Sequence, residues 1–305
     1  MAWRCVHISR PARLCLKDSQ LVVTQDENTI TLPLEDLACV VLDTPQVNLS
    51  GALLSALAMS GIALIIPDDK HHPAGVVLPF HQHHLQAEVI GIQIAASKPL
   101  RKRLWQTLVV AKISNQAALL EEAGHQDAST LRNMIRRVTS GDPDNIEAQA
   151  ARLYWSRLFP RFTRSNCADR RNGLLNYGYA ILRAAIARAC VASGLVPSLG
   201  LHHASRTNAF NLADDLIEPF RPCVDRMVRR TIPEHDPLSS VSVEERRFMT
   251  GILSETVLIG KERMTILAAT ESVATDTVKS LTHSSAALLR PPALSEATNI
   301  ISVSE

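Results

Sequence analysis

Residues 201–222 read LHHASRTNAFNLADDLIEPFRP, placing His202 and His203 a short distance ahead of three carboxylates, Asp214, Asp215 and Glu218. Carboxylate oxygens are the ligands that hard divalent cations require, and an imidazole nitrogen shifts the preference toward a metal such as Mn²⁺. Acids set among Leu212, Leu216, Ile217 and Phe220 are costly to bury unless they are paired or bound to a metal. Arg206 and Arg221 flank the cluster, as a phosphate-handling metal site would need. The bland alternative is a solvated helix face, on which the apolar neighbours do not decide.

Gly194 and Pro197 should end the preceding helix, leaving His202 and His203 in a loop. Asn211 is a candidate cap for a helix starting near Leu212. On that helix Glu218 follows Asp215 by three positions and Asp214 by four, so it shares a face with either. A loop histidine and a helix carboxylate could then meet over one cavity, and a further ligand must come from elsewhere. Glu147, in Ile146-Glu147-Ala148-Gln149-Ala150-Ala151, is one candidate. By spacing alone it is as well explained as an exposed first-turn acid favoured by the helix dipole.

The elements that must position these groups fall into two parts. The first 80 residues are strand-like, with a hairpin expected over 13–16 and 21–24, weak alternation at 29–32, and short apolar runs at 38–42, 62–66 and 74–78. A helix with Ser50 as its N-cap and Gly61 beyond its end is expected at 50–59. Beyond residue 85, helical periodicity recurs at 85–96, 104–123, 130–139, 145–158, 174–192, 243–253 and 272–289. The expected class is α+β: a β-rich domain over 1–80, then an all-helical domain over 81–305, with 290–305 as a flexible tail.

Composition narrows the function classes. At 305 residues, with 46% hydrophobic and 20% charged content, the chain is long enough for two cores and reads as globular. No apolar run approaches the ~18 residues of a membrane span, and the N-terminus lacks a signal core. Six scattered cysteines with no CxxC pair read as reduced structural thiols in a cytoplasmic protein. The net charge of +2 decides nothing about nucleic acid. Only seven of the 32 basic residues are lysine, and arginine binds phosphate bidentately. Five of the 11 histidines (71, 72, 81, 83 and 84) cluster near the domain junction without carboxylates at metal spacing, so a structural or surface role is expected. His235-Asp236 suggests an HD-type phosphohydrolase, but Pro233 and Pro237 bracket the pair and oppose the helix such a site needs.

Three segments stand out together: Ile146-Glu147 with Ala150-Ala151 and Tyr154-Trp155; Asn172-Gly173-Leu174-Leu175-Asn176-Tyr177-Gly178-Tyr179-Ala180-Ile181-Leu182; and Gly200-Leu201-His202-His203 followed by Asn211-Leu212-Ala213-Asp214-Asp215-Leu216-Ile217-Glu218-Pro219-Phe220-Arg221-Pro222. In order and spacing they resemble the CRISPR adaptation integrases, the Cas-one family. The His-His and Glu-Pro-Phe-Arg-Pro forms look like those of type II systems. The resemblance spans essentially the whole chain. It implies a Mg²⁺- or Mn²⁺-dependent DNA endonuclease and integrase whose metal ligands fall on Glu147, His203 and Glu218. It leaves Asp215 and His202 in supporting roles and Asp214 as an exposed helix acid. It further implies double-stranded protospacer and repeat DNA as partners. It also implies a homodimer, with the N-terminal β domain as the expected contact, and a small second adaptation protein completing a hetero-hexamer. Arg157, Arg161 and Arg164, read at helical spacing, join Arg206 and Arg221 as candidate phosphate contacts. The non-enzymatic alternative is a helical DNA-binding scaffold.

Overall fold

The structure, a computed structural model, describes residues 3–69, 71–231 and 240–295. His235, Asp236 and the expected tail beyond 295 lie outside the described residues.

The N-terminal part holds β1 (Arg4–Ile8), β2 (Ala12–Lys17), β3 (Gln20–Gln25), β4 (Asn28–Pro33), β5 (Leu37–Leu42) and β6 (Val47–Leu49). Helix α1 (Gly51–Met59) precedes β7 (Ala63–Pro67) and β8 (Pro73–Val77). The β2–β3 hairpin turns on Asp18 and Ser19, with φ of 49° and 57°. A two-residue turn with both φ values positive matches the right-handed twist of its strands. Ser50 caps α1 by accepting a hydrogen bond from the Leu53 amide, and Gly61 takes φ +67° just past its end.

Two four-stranded sheets result, ordered β1-β5-β7-β8 and β4-β3-β2-β6. Strands β1, β5 and β7 run parallel, with β8 antiparallel at the edge. All six residues of β5 are buried because both of its faces are covered. Val40 and Leu42 point into a core shared with Leu14, Leu21, Leu53 and Leu57. Ala38, Cys39 and Val41 join the larger core formed with the helices. Each fully buried aliphatic side chain contributes about 1.5–3 kcal/mol, so β5 cements the two parts of the molecule. A buried ion pair, Arg246 Nε to Asp43 Oδ1 at 2.7 Å, adds a polar tie across the same junction.

The second part begins with α2 (Gln86–Ala95), α3 (Lys98–Glu122), α4 (Ala128–Ile135), α5 (Ile146–Leu158) and α6 (Arg170–Ala192). It continues with α7 (Asn211–Leu216), α8 (Arg221–Thr231) and α9 (Val243–Thr250). Strands β9 (Thr256–Ile259) and β10 (Glu262–Thr265), helix α10 (Ile266–Thr282) and strand β11 (Pro292–Leu294) complete it. Helix-rich is therefore the accurate description, since β10, β9 and β11 form a small sheet. Residues 290–295 are also part of the fold. β11 pairs with β9, Asn115 fixes the Pro292 carbonyl and the Leu294 amide, and Arg290 pairs with Asp276. Gly178 in α6 lets α8 approach, because a Cβ there would lie 2.6 Å from a Val224 methyl. No helix among the described residues is long and apolar enough to cross a membrane.

Candidate functional site

Helix α5 presents Glu147 in its first turn. Asp142 accepts hydrogen bonds from the Ile146 and Glu147 amides, both at 2.9 Å, and Asn145 accepts one from Ala148. These are the amides that a helix start leaves unpaired. Glu147 faces α3, where Lys112 Nζ donates to its Oε1 at 2.5 Å. The same ammonium stands 2.5 Å from Glu218 Oε2. Two carboxylates 71 residues apart in sequence thus converge on one cation.

Glu218 opens a 3-10 turn over Glu218–Phe220 that links α7 to α8. Its other oxygen accepts from Arg221 Nε at 2.7 Å. Burial alone would raise its pKa, but Lys112 and Arg221 overcome that and hold it at about 2. Burial works against the Lys112 charge in turn, and the Glu218 and Glu147 carboxylates outweigh it, raising its pKa. The site is therefore ionised on both sides.

His203 sits in the loop ahead of α7, held from beneath by Asp215. The Asp215 carboxylate, fully buried, accepts from the amides of Leu201, His202 and His203 at 2.6, 3.1 and 3.1 Å. It also pairs with His203 Nδ1 at 2.7 Å. With Nδ1 committed, Nε2 is the nitrogen free to act as a ligand. The Asp215 hydrogen bond is the largest influence raising the His203 pKa, ahead of the burial that opposes it. Gly200 is required where the loop folds back, since a Cβ there would lie 2.2 Å from the His203 carbonyl oxygen. His202 stacks on Trp105 with ring centroids 4.2 Å apart, so it packs the loop onto α3.

Three sequence expectations change. Asn211 is not the cap of α7. It is buried, and its amide donates to the carbonyls of Ser198, Ser205 and Asn208, so closing the loop before α7 overrides capping preference. Asp214 is not a free surface acid, because Arg183 pairs with it at 2.8 Å and Asn208 donates to it. The run Arg157, Arg161, Arg164 does not follow helical spacing: α5 ends at Leu158, Pro160 follows, and Arg161 takes φ +52°.

Arg164 nevertheless reaches the site. It is anchored by Asn172 and Asn176 at 2.7 Å each. A cavity of about 350 Å³ is lined by Arg164, Asn176, Tyr179, Arg183, His203 and Arg221. A second, of about 200 Å³, is lined by Lys112, Gln116, Trp155, Arg164, Glu218 and Arg221. Arg206 is exposed in the His203 loop. Arg157 pairs with Asp127, and Arg132, Arg171 and Arg226 pair with Glu121, Asp169 and Glu122.

Beneath the cavities, Tyr154 donates to Asp225 Oδ2 at 2.7 Å and Tyr179 donates to Oδ1. Burial is the main reason the Asp225 pKa rises to about 6, against the lowering effect of both phenols. Lys112 and Asp225 were not found from sequence. Lys112 is a lone cation amid Val109, Val110, Ala111 and Ile113, and that placement was the available signal.

Among the described residues no three His, Cys, Asp or Glu groups are placed to hold a metal ion. The donor set still suits one: two anionic oxygens already share a cation, and His203 lies on an adjoining cavity wall with Nδ1 tied back. The five junction histidines form no such group either. His72 pairs with Asp68, and His83 stacks on His84.

The family profile described as "CRISPR associated protein Cas1" matches residues 6–241. A CRISPR-associated endonuclease Cas1 from Neisseria meningitidis serogroup C is 37% identical over 294 residues, covering 96% of each chain. Among solved structures, a casposase bound to integration product superposes with a TM-score of 0.75 at 17% identity, covering 93% of this chain and 91% of that one. A Cas6-RT-Cas1–Cas2 complex gives a TM-score of 0.74 at 18% identity, covering 97% of this chain and 36% of that one. These last two likenesses concern the fold. The family match and the Neisseria relative extend to the sequence that builds the site, and the chain belongs to the CRISPR associated protein Cas1 family.

Proposed function

We propose that this protein is a divalent-metal-dependent DNA endonuclease and integrase that inserts new spacers into a CRISPR array. The observation that carries the reading is the convergence of Glu147 and Glu218 on one cation beside the His203 loop. The name of the Neisseria relative and the integration product held by the casposase support the reaction class.

Glu147, His203 and Glu218 would hold Mg²⁺ or Mn²⁺. When bound, such an ion polarises a phosphodiester and lowers the pKa of an attacking hydroxyl. Asp215, by accepting from Nδ1–H, makes Nε2 the lone-pair nitrogen of the neutral His203 ring and so the one that ligates. Arg221 fixes the orientation of Glu218, and Arg164 supplies positive charge along the cavity wall for DNA phosphates. A DNA 3′-OH forms a new bond to phosphorus while the bond to the departing 3′-oxygen breaks, and that oxygen leaves with a proton. Water in place of the 3′-OH nicks the strand. Neither path needs a covalent protein intermediate.

The proposed partners are protospacer and repeat DNA, a second copy of this chain meeting through the N-terminal β-rich part, and a small Cas2-type protein completing a hetero-hexamer. The Cas1–Cas2 assembly among the fold neighbours supports the last of these. A cytoplasmic setting follows from that role.

The test is strand transfer of a 3′-OH duplex into a repeat-containing plasmid with Mn²⁺ or Mg²⁺. Glu147→Ala, His203→Ala and Glu218→Ala should each abolish transfer and keep DNA binding. Retained transfer in all three refutes the site. DNA binding by the unaltered protein without any transfer would leave the scaffold reading in its place.

A further inference from the structure

Metal ions and ammonium groups compete for the same carboxylate oxygens. Lys112 Nζ lies 2.5 Å from both Glu147 Oε1 and Glu218 Oε2, so the space between the carboxylates already holds positive charge. A divalent ion bound by both oxygens needs that space, and Lys112 must move.

A second observation supplies its destination. Gln116 lies one turn further along α3, on the face that carries Lys112. Its Oε1 is buried and accepts no hydrogen bond among the described residues. Gln116 and Lys112 line the same cavity of about 200 Å³. Buried amide oxygens are normally satisfied, and a lysine ammonium offers three donors on a flexible stem.

We infer that Lys112 is a displaceable internal cation with two seats: between Glu147 and Glu218 in the metal-free protein, and at Gln116 Oε1 once a divalent ion binds. In the first seat it holds the two acids together. In the second it satisfies Gln116 and adds positive charge to a wall shared with Arg164. It is a positioning residue that sets metal affinity. The inference rests on the assignment of Glu147 and Glu218 as metal ligands.

Calorimetric titration with Mn²⁺ alone tests it, using the unaltered protein, K112M, Q116L, the K112M/Q116L double variant and E218A. K112M should bind Mn²⁺ at least about tenfold tighter, since no internal cation is displaced. Q116L should weaken binding when Lys112 is present and change nothing in the K112M background. The metal-free K112M protein should melt below the unaltered one, with the gap closing at saturating Mn²⁺. K112M binding no tighter, or Q116L acting equally in both backgrounds, overturns the inference while Mn²⁺ binding abolished by E218A keeps the metal site. Absence of any E218A-sensitive binding, in K112M as well, overturns both. Should K112M not fold, K112Q, which retains a donor toward the carboxylates, takes its place.

Discussion

Replacing Asp215 with Asn changes one oxygen into an NH₂ group at the point where the loop before α7 is tied down. Asp215 Oδ2 serves the Leu201 and His202 amides, while Oδ1 serves the His203 amide and Nδ1. The single Asn oxygen can keep one of these pairs. Hydrogen bonds to a charged acceptor contribute about 1.5–3 kcal/mol each, so losing one or two, according to the amide's orientation, costs about 1.5–6 kcal/mol before the loop relaxes. If the oxygen keeps the Leu201 and His202 amides, the new NH₂ faces His203. Nδ1 must then accept rather than donate, the proton moves to Nε2, and the ring can no longer ligate a metal through that nitrogen. In the other orientation, the loop amides lose their acceptor. Metal-dependent strand transfer should fall about 10–100-fold, the usual effect of removing a group that orients a ligand. Urea denaturation and strand-transfer assays on the same preparation read both effects. An Asp215→Asn protein within about 1 kcal/mol of the original stability, with full transfer activity, would refute the reasoning.

Asp225 titrates near pH 6 in the folded protein, against 3.8 for its ordinary value. Between these values the folded state holds a proton that the unfolded chain has released, so stability falls as pH rises through the window and levels off above it. The shift corresponds to about 3 kcal/mol. The stability of Asp225→Asn relative to the unaltered protein should improve by about that amount from pH 4 to pH 7, and a difference constant with pH contradicts this. Arg246→Met leaves the buried Asp43 with His7 at 3.5 Å but without its guanidinium and should cost about 2–4 kcal/mol in chemical denaturation; a cost below about 1 kcal/mol would show the pair to be dispensable. Arg164→Gln should weaken duplex binding and reduce the salt slope by about one, whereas Arg157→Gln, its guanidinium already paired with Asp127, should leave the slope unchanged. Equal slopes for the two variants would remove Arg164 from the DNA footprint.

Local signals in the sequence were reliable where local chemistry decides the structure. The β2–β3 hairpin and the Ser50 cap form as expected because their partners lie within a few residues. The β9–β10 hairpin was missed although Gly260, at φ +63°, opens its two-residue turn, because each strand is only four residues long. Asn211 misled because three carbonyls of the loop just before it, those of Ser198, Ser205 and Asn208, outcompete the helix terminus for its side chain. At the site, the acids and His203 were legible as residue types in a recognisable order. Lys112 was not, since its partners lie 35 residues away at Glu147 and 106 away at Glu218. No spacing rule links them, and the convergence of α3, α5 and the 3-10 turn at Glu218 is a property of the packed core.

The central proposal is that Glu147, His203 and Glu218 hold one divalent ion. Anomalous diffraction at the manganese edge from crystals soaked in Mn²⁺ tests this most directly. The expected result is a single peak about 2–2.5 Å from a Glu147 oxygen, a Glu218 oxygen and His203 Nε2, with Lys112 withdrawn toward Gln116. A Mn²⁺ peak elsewhere, with Lys112 still between the two carboxylates, would contradict it.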